Sequence, residues 1–493
     1  MRRRKGLRVV RPGFTSYAFR TAVALATGIP LCAALGAQRS REVAAPRLKM
    51  IRESVLDPAA LVYPKRSYGY TPNSVSCQGS AMGTHRGWQY VTWWDGARRL
   101  CVARRKLPHA AWETIRFEDY RHRATDTHNT AELGICAKDG TIHLAFDHHC
   151  HPLHYRVSAK GAATSPAEVK WTAGLFGSVT SRLNKDGKRL GSVTYPKFRM
   201  TPAGNLLLLW RTGSSGNGDW LLAEYDGASG RWTVFGVVLS RHGSYRGSGA
   251  RCAYPNGLDF DANGRLHMSW CWRETGNPRT NHDVCYAYSD DGGRTWFDST
   301  GRRAGKAGTK PIRVDTPGIA VWKVDPGNGL INSCGQAIDG KGRMHIVVRQ
   351  GMSGFENPRL RKKTRNHLCY VHYWRDLSGT WHQAPIDPNT AMGARPEIRS
   401  ERNDTLYLVS DPVHVAAAAA ASGWKDWRVV YTHPTAFLGE PVIDYSRWKK
   451  EQILSVFGQT KAGKLGVPAP LLVVDLASQQ AIERLADSET EGK

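Results

Sequence analysis

The chain has 493 residues, 41% of them hydrophobic, with 17 Trp and 50 Gly, a composition that excludes disorder and implies a well-filled core. Its formal net charge of +27 suits a polyanionic partner, whether nucleic acid, acidic membrane or acidic and sulfated polysaccharide. No basic helix or zinc-finger spacing is present, so nucleic acid is set aside and a polyanionic glycan is the expected partner.

Residues 1–37 read as an export signal. MRRRKGLRVVR is a positive n-region, and Thr21 to Ala37 is an apolar core ending in small residues, too short and too broken by Pro30 to be a convincing span. No later run is long enough to cross a membrane, so the expectation is a secreted, soluble monomer with no membrane partner. Ten cysteines agree with an oxidising destination, where disulfides form. Cys32 leaves with the signal, and nine remain, an odd number that leaves at least one outside any internal disulfide.

Residues 38–79 are polar and Pro-containing, a linker or strap. From there a turn followed by a short alternating strand recurs. Asp139-Gly140 precedes TIHLAF, Ala203-Gly204 precedes NLLLLW, and Asn263-Gly264 precedes RLHMSW. Lys341-Gly342 then precedes RMHIVV, and Asn403-Asp404, lacking the Gly, precedes TLYLV. The steps between them are 64, 60, 78 and 62 residues, the length of a supersecondary unit rich in strands. The fold class is therefore all-β: a seven-bladed β-propeller of antiparallel four-stranded blades over residues 80–480, its seventh blade mixing strands from both chain ends. Within the fourth unit, Ser289 to Trp296 (SDDGGRTW) matches the Asp-box, a structural turn that points to a propeller of the sialidase-like BNR type and says little about activity. The Ala416 to Ala421 run has helix propensity but lies between strand-like segments and reads as a loop excursion. Residues 481–493 are a C-terminal tail, frayed helix or disordered.

Candidate chemistry concentrates in a few places. From His128 to His154, six histidines fall within 27 residues, around a strand that runs out into Asp-His-His at the rim of a sheet. A lone histidine is more often a satisfied core group; six together favour a site. Tyr195-Pro196 and Tyr254-Pro255 recur at similar places in successive units, each either a packed Tyr at a turn or a Tyr held at a strand edge. Arg211 ends the run LLLLW, as a solvated charge or an anion clamp. This set suits β-elimination of a uronic-acid polysaccharide, which needs the carboxylate neutralised, a base for the α-proton and an acid for the leaving oxygen. A glycoside hydrolase needs two positioned carboxylates, and no convincing pair lies near these loops.

HNTAELG, DGTIHLAFDHHCHPLHYR, TYPKF, WRTGSSGNGD, AYPNG and NHDVCYAYSDDGGRTW together resemble the BNR-repeat polysaccharide lyases, in particular the ulvan lyases, over about residues 120–350. The resemblance implies a seven-bladed propeller that cleaves ulvan, a sulfated rhamnose–uronic acid polymer, endolytically and leaves an unsaturated uronyl end. It implies His128 as a catalytic His, His148 or His149 as the second, Tyr195 as acid, base or both, Arg211 as carboxylate neutraliser and Tyr254 as a further active-site Tyr. Asn129, Lys197, Asn217 and Arg251, beside these positions, are the expected substrate-binding residues. The resemblance also suggests a structural zinc on Cys271, His282, Cys285 and Cys334, against the alternative of a Cys271–Cys285 disulfide. The other functional classes are a BNR-type sialidase-like hydrolase and a non-catalytic glycan-binding propeller. The uronate epimer and the division of labour between His128 and Tyr195 stay open at this level.

Overall fold

A computed structural model describes residues 46–65, 68–75, 77–352 and 367–490. The leader at residues 1–37, with Cys32, lies outside the described residues. Seven β-sheets follow one another along the chain and close on themselves, with two short α-helices, Tyr445–Glu451 and Gln479–Thr490, as the α-helical elements among the described residues. Each sheet is laid out on the same antiparallel four-stranded plan, and the first strands of successive blades pack side by side around a central channel. Three blades elaborate the plan. The one starting at Ala131–Ile135 has three ladder strands and completes its outer edge with bridges from Tyr155 to Thr180 and from Ser158 to Phe176. The next, Val193–Met200 to Arg231–Leu239, borrows His149–His151 as an extra edge, and the fourth adds Arg303–Lys306 and Ala320–Trp322.

The repeated turn-and-strand text marks the same place in five consecutive blades. Ile142–Phe146, Leu206–Arg211, Leu266–Arg273, Met344–Gly351 and Leu406–Ser410 are each the second strand of a blade, joined by a tight hairpin to the first. These strands are fully buried or nearly so because they face neighbouring blades on both sides, which is why their text is almost continuously apolar. The hairpins need a left-handed residue: Gly140, Gly204, Gly264 and Gly342 have φ between 70° and 82°. In the fifth hairpin Asp404 adopts φ 63°, an αL role that a short polar side chain tolerates. The Asp-box is a turn of the same economy. The Ser289 hydroxyl donates to Asp291 (2.8 Å), Asp291 accepts from the Thr295 amide (2.7 Å), and Trp296 is buried with its indole N–H on the Gly293 carbonyl (2.9 Å).

The ring is closed by both ends of the chain. Leu48–Ala60, which the sequence reading placed in the strap, pairs antiparallel with Ala469–Ser478 in the closing blade. The segment that follows then ties that blade to the first: Asn73 exchanges hydrogen bonds with the Trp94 backbone and donates to Gln459. The first half of the alanine run is neither helix nor loop. His414–Ala418 is a blade strand paired on both sides, and only Ala420–Ser422 turns, as a 3₁₀ helix. Local helix propensity is worth a few tenths of a kcal/mol per residue, less than two ladders of hydrogen bonds and a buried position between sheets. At the other end of the tail, Gln479–Thr490 continues from the closing strand as an α-helix.

Candidate active site

First strands begin, and second strands end, on the face of the ring opposite the hairpin turns. The candidate residues collect there. Tyr195 lies within a bulge of its first strand, where the register shifts between Thr194 and Lys197; in the next first strand Tyr254 and Pro255 stay paired with Cys271 and Trp270, and the shift follows them, between Pro255 and Gly257. Proline does not end either strand. Having no N–H to give the ladder, each proline sits within or directly before a bulge. Tyr195 carries φ 52°, a left-handed backbone rare for an aromatic residue and of the kind that clusters at functional sites.

Arg211, the last residue of its strand, stands opposite Thr194 and is fully buried. Its guanidinium carbon lies 5.0 Å from the Tyr195 ring centroid, Nη1 donates to the Tyr254 hydroxyl (3.4 Å), Nη2 approaches the Cys150 thiol (3.7 Å), and Nε has no partner. Among the described residues no carboxylate pairs with it. Arg273 is placed alike in the next blade, donating to Tyr254 (3.1 Å) and Ser215 (3.1 Å), also without an acidic partner among the described residues. A buried guanidinium with no counter-ion is costly unless an anion arrives to share the site. Arg273 is absent from the sequence reading, although Trp272-Arg273 repeats the Trp210-Arg211 pair at the end of the neighbouring second strand.

The histidine cluster divides. His128 and His149 face the site, their rings 4.5 Å apart and 5.7 and 6.2 Å from the Tyr195 ring. Each places Nδ1 2.6 Å from a different oxygen of Asp126. Burial pulls the His128 pKa below the ordinary imidazole value, against the opposing pull of Asp126. For Asp126, burial works against ionisation, but hydrogen bonds from both imidazoles prevail and hold its carboxyl well below the usual range. Burial pushes the Tyr195 phenol well above its ordinary value despite Arg211, so it carries its proton at neutral pH. His148 points inward instead: it is buried, stacks on His154 at 5.5 Å and accepts the His154 amide N–H (2.8 Å). Of the doublet, only His149 reaches the site. His143 is a core group between Thr141 and Tyr155, and His151 lies at the rim.

The expected substrate contacts are scattered more widely. Asn129 is buried, donating to Asp147 (2.8 Å) and His151 (3.2 Å), with its Oδ1 unpartnered. Asn217 is exposed at the tip of the tight turn 214–217. Lys197 lines the central channel with Asn256, Gln336 and Glu397, and burial lowers its pKa. Arg251 is corrected from substrate binder to structural tie. Fully buried, it grips Glu274 through Nε (3.0 and 3.1 Å) and donates to the carbonyls of Arg241, Gly243 and Ser248, leaving nothing to offer a ligand. Arg251→Ala is therefore expected to destabilise by about 3–5 kcal/mol, because Glu274 keeps His282 but loses the guanidinium, and the carbonyls of Arg241, Gly243 and Ser248 lose their donor. Urea unfolding checks this, and an unchanged midpoint would contradict the structural role.

The four expected zinc ligands do not fit a closed site. Both ring nitrogens of His282 are taken up by carboxylates, Nε2 by Glu274 (3.0 Å) and Nδ1 by Asp283 (3.2 Å), and the ring stacks on Tyr245 at 3.8 Å. These contacts outweigh burial and raise its pKa, favouring the imidazolium, which cannot ligate. Burial pushes the thiols of Cys271 and Cys334 up to about 12. All nine described cysteines are free thiols, so neither the Cys271–Cys285 disulfide nor any other forms among the described residues. The one group of three ligand-type atoms lying within 4.8 Å of one another, among the described residues, is Asp126, His128 and His149.

A seven-bladed propeller with an Asp-box and this basic mouth defines the class. The BNR repeat-containing family model matches residues 88–388, and the chain belongs to that family. Among curated proteins it is similar to the long-isoform ulvan lyase of Alteromonas sp. (strain LOR), 25% identical over 330 residues, covering 58% of this chain and 33% of that one. It is 26% identical over 330 residues to the long isoform of Pseudoalteromonas sp. (strain PLSV), again covering 58% of this chain and 33% of the relative. The chain thus spans about a third of the length of these relatives. In fold it is similar to the polysaccharide lyase Uly1, with TM-score 0.67, 19% identity, and coverage of 87% of this chain and 99% of that one. It is also similar to a PL25 ulvan lyase bound to -[GlcA(1-4)Rha3S]-, with TM-score 0.58, 11% identity, and coverage of 85% and 95%.

Proposed function

We propose that the protein is a polysaccharide lyase that cleaves ulvan-type sulfated uronic-acid polysaccharide by β-elimination. The observation that carries the reading is the buried Arg211, without a carboxylate partner among the described residues, beside a protonated Tyr195 and a neutral His128. The uronate carboxylate docks on Arg211 and the Tyr254 hydroxyl, which Arg273 supports, and the neutralised carboxylate makes the C5 proton acidic. His128 takes that proton through Nε2. Tyr195 donates its hydroxyl proton to the glycosidic O4, the C4–O4 bond breaks and the C4–C5 double bond forms. His149 stands beside the base, its ring 4.5 Å from that of His128. The names of the similar proteins support ulvan as the polymer, and the net charge of +27 supports a polyanion.

Endolytic cutting and export belong to the same proposal, the first supported by the resemblance and the second by the leader-like text of residues 1–37. Incubation with ulvan is expected to raise ultraviolet absorbance as unsaturated uronyl ends appear, with viscosity falling early because cuts are internal. Reducing ends without that absorbance would mean hydrolysis, and binding without either would mean a non-catalytic propeller. Hydrolysis is disfavoured by the site itself, where Asp126 is committed to two imidazoles and is not free to act as one of a carboxylate pair.

A further inference from the structure

Asp126 is absent from the sequence reading, and its geometry goes beyond holding one histidine. Its own turn fixes it, since its carboxylate accepts the His128 amide (3.0 Å) and its carbonyl accepts the Asn129 amide (3.1 Å) and the Tyr63 hydroxyl (3.3 Å). From that anchor its two oxygens face two different imidazoles, each at 2.6 Å, and the rings themselves are 4.5 Å apart. An ionised carboxylate accepts hydrogen bonds and cannot donate them. Both histidines must therefore present Nδ1–H to it, which leaves Nε2, on the far edge of each ring, as the nitrogen available for chemistry.

We infer that Asp126 is a positioning residue that locks His128 and His149 in one tautomer at once, so that the pair works as a single unit with one shared counter-ion. The inference rests on the lyase reading for its catalytic consequence, but not for the tautomer itself. The two imidazoles share one carboxylate at close range, and a charge on the His149 ring disfavours protonation of His128. The form with both rings neutral supplies the base. The other groups facing the pair are Tyr63 behind the carboxylate, Tyr68 at 4.5 Å from the His128 ring, Tyr195 across the site and the Arg395 cation, which disfavours protonation of His128.

The test is Asp126→Asn in the full chain, read by nitrogen NMR of the histidine rings and by the pH profile of ulvan cleavage. The amide keeps one oxygen and turns a donor toward the second ring. One of the two histidines is then expected to keep Nδ1–H and the other to move its proton to Nε2. Turnover is expected to fall about 10²-fold or more, as wrong-tautomer variants do, with KM little changed. Losing the negative charge also makes protonation of the rings less favourable. The acid limb of the profile, where the base gains its proton, should shift to lower pH.

If both rings keep Nδ1–H in Asp126→Asn, or the limb stays in place while activity falls, Asp126 has only a structural role and the inference is overturned. Finding Nε2–H on either ring of the wild-type protein overturns it without any variant. The NMR reading needs no turnover. A wild-type protein inactive on ulvan would sink the lyase reading and leave the tautomer lock to be decided by the spectra.

Discussion

Tyr195→Phe is expected to lose activity on ulvan by about 10²–10⁴-fold in kcat, the span assigned to a positioned general acid or base, while thermal stability and glycan binding stay near wild type. The reason for expecting so clean a separation is structural. Among the described residues the Tyr195 hydroxyl has no hydrogen-bond partner, and the ring is held by Arg211, His128, Trp220 and Tyr254 through its faces and edges. Removing the oxygen breaks no contact in the free protein and leaves the ring packing intact, so stability should move by no more than about 0.5 kcal/mol. What disappears is the hydroxyl proton proposed for transfer to the glycosidic O4. Tyr254→Phe would be a poorer probe, because it also strips an acceptor from Arg211 and Arg273 and so mixes chemistry with electrostatics. Single-turnover cleavage followed by ultraviolet absorbance, alongside a melting curve, decides the matter. A Tyr195→Phe enzyme with wild-type kcat would remove Tyr195 from the proton transfer and with it the role given to its left-handed backbone.

Much of the architecture was legible because the hairpin turns and second strands repeat it in plain text. A blade's second strand must be apolar on both faces and must follow a left-handed residue, and both requirements are written locally as Asp-Gly, Asn-Gly or Lys-Gly before an alternating run. The alanine run was not legible, since its preference for helix is local and the two ladders that overrule it come from Leu406–Ser410 and Arg428–Thr432. That one blade would join both chain ends was legible, but not that Leu48–Ala60 supplies the strand, since its partner is more than 400 residues away in sequence. At the site, residue types and order pointed to Tyr195, Arg211, His128 and Tyr254, which the fold does bring to one mouth. Sequence could not choose between His148 and His149, because a positive φ at Asp147 (63°) resets the alternation that would have assigned their faces. Arg251 and His282 looked like functional groups because charge and imidazole are what sites are made of. Only the positions of Glu274 and Asp283 reveal that both are already paired.

Asp475→Ala is expected to destabilise the propeller by about 3–5 kcal/mol, the cost of leaving buried charges without their partner. Asp475 is fully buried in the strand that pairs with Leu48–Ala60, and it holds the ring shut from three sides. Arg105, from the first blade, donates to both of its oxygens (3.0 and 2.7 Å), Arg447 from the helix Tyr445–Glu451 reaches it at 2.7 Å, and the Ser455 hydroxyl donates at 2.7 Å. Arg105 in turn donates to Gln89 and Ser54, so the same guanidinium spans the first blade and the N-terminal strand. Alanine would leave Arg105 buried with no anion, whereas Arg447 retains Glu451 (3.1 Å). The damage should therefore centre on Arg105, and adding Arg105→Met to Asp475→Ala should recover part of the loss, since an apolar side chain of similar length needs no counter-ion there. Urea unfolding gives the size of the effect. Hydrogen exchange gives its place, with residues 48–60 and 469–478 exposed before the blades that carry Tyr195 and Arg211. A closed ring works against this ordering, because each blade supports its neighbours and early opening at one seam requires that seam to be the weakest. If Asp475→Ala instead lowers protection uniformly around the ring, the latch is one contact among many, and closure rests on the strand pairing from Leu48 to Ser478 alone.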